Sequence, residues 1–421
     1  MMREGWSNNK IIELIESIFS GGTPSTQKSE YWGGDLNWLS SGETRNNFIY
    51  ETEKTITQLG AKESSTKLAK KGDILIASAG QGFTRGQTSY LMKDSYINQS
   101  IIGIRTNPEK LYSLFLFYTL KSKYKLMRDL SDSNSSRGSL TCRLVENLDI
   151  RYPESIKEQQ KIATILSNYD DLLENNIKRI ELLEKIAKLV YDEWFVKFKF
   201  PGHETVKMVD SELGKIPEGW EIVTLESKFN IVLGGTPSRN KKEYWDGEIN
   251  WINSGKVNDL RIIERSEGIT ELGLKKSSTK IMPKRTTVLA ITGATLGQVS
   301  LTEIETGANQ SVVGIYDESN FYSSFIYLKI NEIIQEMISK AGGGAQQHIN
   351  KDIVKGTKIL LPNDSIIKLF NDFINPLFNL LSDLLFKNKN LEKTRDLLLP
   401  KLITGDVDVS MLDVEISEVE A

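Results

Sequence analysis

Few residues of this chain have the type and spacing that bond-making chemistry needs. The two histidines, His203 and His348, lie far apart, and neither sits in a metal-ligand spacing. The one cysteine, Cys142, excludes an internal disulfide and a multi-cysteine metal site. No Walker A phosphate loop is present. Two weaker patterns remain. Asn375-Pro376-Leu377-Phe378 has the form of a tetrapeptide that holds an amino group for methylation, but it lies inside a heptad-patterned segment with no glycine-rich cofactor turn. Pro217-Glu218 followed by Glu226-Ser227-Lys228 has the carboxylate order of a metal-dependent nuclease, whereas Glu16-Ser17-Ile18 in the first half has no lysine. Catalytic and metal-ligating residues are therefore expected to be absent, and the chain is expected to bind rather than to catalyse.

The elements that would position a binding surface occur twice. Residues 21–42 read GGTPSTQKSEYWGGDLNWLSSG and residues 234–255 read GGTPSRNKKEYWDGEINWINSG, identical at 14 of 22 positions. The match continues from Thr57 against Thr270, through 74–77 against 287–290. After a two-residue gap it resumes at Gly86-Gln87 against Gly297-Gln298 and at Asn98-Gln99-Ser100 against Asn309-Gln310-Ser311. Helix-like segments follow at 112–126 and 322–338. Each copy is long enough to bury its own core, so this is domain duplication rather than a solenoid. Short strand-like pieces at 37–39, 73–77 and 101–105, with helical character near the end, make each copy a mixed α and β domain. Gly-Gly-Thr-Pro is either a tight turn using positive φ or a nest of N–H groups for a phosphate. Tyr31-Trp32 and Tyr244-Trp245 are either core anchors or surface aromatics.

A long heptad-patterned helix follows each copy. In segment 155–198 the seam is Ile162, Leu166, Tyr169, Leu173, Asn176, Ile180 and Leu183, continuing through Ala187, Val190 and Trp194. Asn176 is either a register-setting polar residue or a solvent-facing slip. In segment 365–404 the seam runs through Phe370, Phe373, Leu377, Leu380, Leu384, Leu391 and Leu398, with Pro376 kinking the helix or marking its true start. The economical arrangement is an antiparallel coiled coil related by the same approximate two-fold axis as the repeats.

The expected fold class is α+β, with two similar mixed domains separated by two long helices and pseudo-two-fold symmetry. Residues 1–152 form the first domain, 153–200 the first helix and 201–216 a linker. Residues 217–361 form the second domain, 362–405 the second helix and 406–421 an acidic tail expected to be disordered. Net charge is −3, and without the six acids beyond Gly405 it becomes +3. Basic clusters lie at Lys62-Lys67-Lys70-Lys71 and at Lys275-Lys276-Lys280-Lys284-Arg285. No apolar run is long enough to span a membrane and no signal peptide is recognisable, so the cytoplasm is the expected compartment.

The chain resembles the specificity subunit of Type I restriction-modification systems. The resemblance covers nearly all of it and is carried by the paired GGTPS…YW…NW…SG blocks and by Ile216-Pro217-Glu218-Gly219-Trp220. Glu158-Gln159-Gln160-Lys161-Ile162 and Leu398-Leu399-Pro400-Lys401-Leu402-Ile403-Thr404-Gly405 carry the rest. The first domain keeps only Glu4-Gly5-Trp6 of the opening motif, which leaves its first strand open. The resemblance implies two target recognition domains, each reading one half of a bipartite, asymmetric site on double-stranded DNA. It also implies helices that set the spacing and dock two modification (methyltransferase) subunits. S-adenosylmethionine would be held by those subunits, and ATP and Mg²⁺ would belong to restriction subunits, the ATP-dependent motor and nuclease. No cofactor is expected on this chain, and no membrane.

Residues identical in the two copies cannot distinguish two different half-sites. Thr23, Ser25 and Lys28, with Thr236, Ser238 and Lys241, are therefore expected to serve folding or DNA backbone contacts. Base readers are expected where the copies diverge: 81–85 against 294–296, and 135–137 against 345–348. There Arg85, Arg137, Gln346 and Gln347 can bond guanine or adenine edges bidentately. A coiled-coil scaffold with protein-binding heads, or a self-contained enzyme using Glu226 or Asn375, are the other readings.

Overall fold

The computed structural model describes residues 3–80, 82–134, 138–340 and 348–415, with residues 133 and 134 by backbone alone. The chain divides into two units, Met1–Leu173 with Asn390–Ala421, and Glu174–Lys389. The same sheet is built in each. In the first unit, five strands lie in the spatial order Ile15–Ser20, Ile101–Thr106, Ile74–Ala77, Thr88–Leu91, Phe48–Ile49. In the second, the order is Asn230–Leu233, Val312–Tyr316, Thr287–Ala290, Val299–Thr302, Arg261–Ile262. Four strands pair antiparallel and the fifth joins parallel, in both copies. The central strands Ile74–Ala77 and Thr287–Ala290 are buried at every position, so 74–77 reads as an unbroken apolar run.

A second sheet in each unit is built on Trp32–Leu39 or Trp245–Ile252, whose burial pattern is the same in both, alternating at first and ending in two buried residues. The outer pairs are Trp6–Lys10 with Asp149–Pro153 and Glu221–Thr224 with Lys358–Leu361. The first strand, left open by the incomplete motif, thus forms and matches its counterpart. Residues 201–216, expected to be a linker, contain most of a hairpin, Met208–Ser211 paired with Gly214–Pro217.

The two long helices span Ile156–Tyr191 and Asp364–Thr404, the first continuing into a wider π turn at Asp192–Val196. Each unit takes part of both helices, so neither helix is a domain of its own. Within the first unit, Ile162 and Leu166 share a core with Leu399, Leu402 and Ile403. Within the second, Ile180 and Leu183 cluster with Leu381 and Leu384, while Asn176 Nδ2 donates to Asn388 Oδ1 at 2.7 Å. The direction of pairing is antiparallel in both.

Asn176 is buried, and a buried carboxamide accepts only a partner that can answer it, which pins the register. Ile162, Leu166, Leu173, Asn176, Ile180, Leu183 and Leu384 are buried as expected, and Tyr169, Leu377 and Leu391 are half-buried. Phe373 and Leu380 are corrections. Both are exposed, and Ile374, Phe378 and Leu381 take their places. Apolar residues on two adjacent faces of this helix permit either alternation, and packing against the second head selects one of them. Pro376 does not start the helix, which begins twelve residues earlier at Asp364.

The motifs at the helix ends are parts of the frame. Gln159 is fully buried: its Nε2 donates to the carbonyls of Pro153 and Lys110, and its Oε1 accepts from the Tyr112 N–H. Gly405 ends the second helix at φ +78°, the left-handed cap that glycine adopts without strain, and a Cβ there would meet the Trp6 ring at 2.9 Å. The acidic tail beyond it does not hang free over its first residues. Val409 is fully buried, Arg3 pairs with Asp408, and Lys161 Nζ donates to the carbonyls of Ser410 and Leu412. Residues 416–421 lie outside the described residues.

Glu264 ties the second head to the second helix. Its carboxylate meets Lys389 Nζ at 2.6 Å and Lys256 Nζ at 2.9 Å, and these two ammonium groups lower its pKa to about 2. A carboxylate whose folded pKa lies below its unfolded value stabilises above about pH 4.5, and that contribution fades as pH falls toward 2. The site is partly exposed, so screening reduces its worth to about 1 kcal/mol. Urea titrations of the parent and Glu264→Gln should differ by this amount at pH 7 and converge near pH 2.

Candidate nucleic-acid interface

The shared block uses its repeated residues largely to hold itself together, and its tryptophan and threonine contacts recur in both units. Trp32 and Trp38 meet edge-to-face at 5.0 Å, and Trp245 and Trp251 do so at 5.2 Å. The indole of Trp38 donates to the Gly22 carbonyl and that of Trp251 to the Gly235 carbonyl. The other indoles, of Trp32 and Trp245, donate to the carbonyls of Ser25 and Ser238. Trp38 and Trp251 are core; Trp32 and Trp245 are half-buried lids over them. Of the paired tyrosines, Tyr31 is buried and Tyr244 half-buried.

The paired glycines serve close approach rather than left-handed backbone. A Cβ on Gly21 would lie 1.9 Å from the Ile97 carbonyl oxygen, and one on Gly234 would lie 2.2 Å from that of Asn309. Neither residue has positive φ. The Gly-Gly-Thr-Pro segment is therefore a packed structural turn.

The expected backbone-contact residues divide in two. Thr23 Oγ1 donates to Gln99 Oε1 and Thr236 Oγ1 to Gln310 Oε1, both at 2.5 Å, so these threonines close the turn. Lys28 Nζ donates to the Tyr31 hydroxyl at 2.6 Å, a bond that raises the lysine pKa, and the hydroxyl in turn donates to Glu63. Ser25 and Ser238 are exposed. Lys241 is exposed too, 3.9 Å from Glu243. Beside it, Arg239 lies 3.7 Å over the Trp245 ring and forms a two-pronged pair with Glu267, a feature the first copy lacks because Thr26 stands there.

In each unit the residue three positions before the first divergent segment is bonded to a residue that follows the second. The Leu140 N–H donates to the Ser78 carbonyl in the first unit, and the Ile349 N–H to the Ile291 carbonyl in the second. Sequence positions more than fifty residues apart are thereby brought to one place in each head. Arg85 lies in this region but is buried and ion-paired with Asp132, so it anchors its loop instead of projecting from it. Arg137, Gln346 and Gln347 lie outside the described residues. His348 is exposed.

The residues that suggested enzyme chemistry are placed in other work. Asn375 is in the second long helix, where its Oδ1 accepts from Ser324 Oγ at 2.7 Å. Glu226 pairs with Lys355 at 3.0 Å. Among the described residues no group of His, Cys, Asp and Glu is arranged to hold a metal ion. Among them, too, no helix is long and apolar enough to cross a membrane.

Comparison with known proteins agrees with this duplicated frame. The family described as "Type I restriction modification DNA specificity domain" matches twice, over residues 3–185 and 217–392. The MjaIX Type I restriction enzyme specificity subunit of Methanocaldococcus jannaschii is 30% identical over 417 residues, 97% of this chain and 94% of that one. The HindI specificity subunit of Haemophilus influenzae is 24% identical over 438 residues, 88% of this chain and 94% of that one. In fold, the crystal structure of the S subunit of a Type I restriction-modification system from M. genitalium superposes with a TM-score of 0.63 at 17% identity, covering 94% and 96% of the two chains. With two copies of the family's domain in series, this chain belongs to the Type I restriction-modification DNA specificity family.

Proposed function

We propose that each unit carries a target recognition domain that reads one half of a bipartite, asymmetric site on double-stranded DNA. The chain supplies specificity and assembly and no catalysis of its own. One observation carries this reading. Two heads share a frame made by identical residues, yet differ in sequence at the segments adjoining it. Identical scaffolds with different loops suit two different half-sites.

The paired helices set the spacing and dock two methyltransferase subunits. Exposed leucine and isoleucine side chains at Leu182, Ile186 and Leu189 follow one face of the first helix, and Leu369, Phe373 and Leu380 follow one face of the second. Such apolar stripes on a charged chain are suited to cover by partner protein. S-adenosylmethionine belongs to those partners, ATP and Mg²⁺ to restriction subunits, and the assembly works in the cytoplasm.

Net charge of −3 leaves little general attraction for phosphates. In gel-shift titration the chain alone is expected to bind its target at least ~100-fold more weakly than with methyltransferase subunits present, the span between non-specific and specific binding being larger still. Tight, sequence-specific binding by the isolated chain would overturn this division of labour. An absence of DNA protection even with partners would overturn the reading itself.

A further inference from the structure

A recess in the first unit is lined by Arg45, Asn47, Phe83, Gln87 and Tyr124 among others. Phe83 is 82% exposed, which is unusual for a phenyl group, and the loop that carries it is tethered. Tyr124 Oη donates to the Phe83 carbonyl at 2.8 Å, and Arg128 Nη1 donates to the Gly82 carbonyl at 2.6 Å. The backbone that carries the ring is thus fixed in place. The side-chain amide of Asn47, half-buried in the same recess, has no hydrogen-bond partner among the described residues.

The second copy replaces this chemistry. Asn258 stands for Arg45 and Leu260 for Asn47. Ile338 lies against Gly297 where Tyr124 lies against Gly86. The loop is two residues shorter, and both Leu296 and Ile338 pack onto the apolar core. Asn47 and Tyr124 in one copy give way to Leu260 and Ile338 in the other, while the surrounding sheet keeps the same strand order. That is the pattern expected of a surface that sees different bases.

We infer that this recess reads an A·T base pair in the half-site of the first domain, with Asn47 bonding the adenine edge and Phe83 packing on the thymine methyl. The inference rests on the proposed function. A carboxamide is complementary to adenine N6 and N7, and an apolar side chain to the thymine methyl, and an A·T pair offers both in the major groove. Gln87, identical to Gln298, is common to both copies and is not part of the discrimination.

The test uses the full chain with its methyltransferase subunits, as Asn47→Leu and Phe83→Ala variants, read by methylome sequencing. Asn47→Leu installs the residue that the second copy already tolerates. One A·T position of the first half-site should become degenerate, with discrimination there falling about 10-fold or more. The second half-site should stay intact in the same molecules, which reports that the complex is folded and assembled. An unchanged first half-site, degeneracy at a G·C position, or loss of modification with no newly accepted sequence would each overturn the inference. If exchanging the first domain switches one half-site but these variants read as the parent does, the recess assignment fails and the proposed function stands.

Discussion

Replacing Arg261 with alanine is expected to lower the stability of the second unit by about 3–5 kcal/mol, the usual consequence of removing one partner from a buried ion pair. The guanidinium is fully buried and 2.5 Å from Glu184 of the first long helix. It lies 4.3 Å over the Tyr327 ring and 4.6 Å over the ring of Phe378 in the second long helix. Its Nη1 also donates to the Leu260 carbonyl at 2.9 Å. One side chain therefore joins the head to both helices. Burial pushes the Glu184 pKa up, and the neighbouring Arg261 only partly offsets it. Without Arg261 the carboxylate would be left desolvated and unpaired, or would take up a proton. Urea unfolding should show the loss in the transition of the second unit, and replacing both partners together, Arg261→Met with Glu184→Leu, should recover most of it. A single-variant loss below about 1 kcal/mol would show that the site is better solvated than its burial implies.

The second large effect is functional. Exchanging residues 11–148 for those of another family member should switch one half of the recognised sequence completely and leave the other half unaltered. These limits keep the strand Trp6–Lys10 and its partner Asp149–Pro153, along with the Gln159–Pro153 bond and the Trp6–Gly405 contact, so the graft enters between retained outer elements. Specific and non-specific sites commonly differ by a factor of about 10³ or more in affinity, so the switch should be essentially all-or-none in a methylome. Mixed changes in both half-sites would mean that the domains do not read independently.

Much of this was legible in the residues. Duplication, the buried strand at 74–77 and the two heptad-patterned helices follow from local pattern, because periodicity reflects which face is buried, whereas the role of Asn176 is settled only by its bond to Asn388. The candidate site was less legible. Thr23, Lys28 and Gln99 carry hydrogen-bonding groups that could meet phosphate as well as one another, and composition does not say which partner they find. Arg85 could reach a base or an aspartate, and Asp132, 47 positions later, is brought to it only by the fold. Phe83 and Asn47 were readable only as positions where the copies differ. That they line one recess is decided by the chain's path.

By itself the sequence determined that there are two like domains, which segments alternate apolar with polar, and which loops diverge, since these are properties of neighbours along the chain. Only the tertiary structure decided that Ile374, Phe378 and Leu381 rather than Phe373 and Leu380 form the buried face, that each unit takes part of both long helices, and that the tail docks through Val409. Those outcomes depend on which surface arrives opposite. A residue's burial is set by the partner it meets, and partners far apart in the chain leave no local periodicity to read.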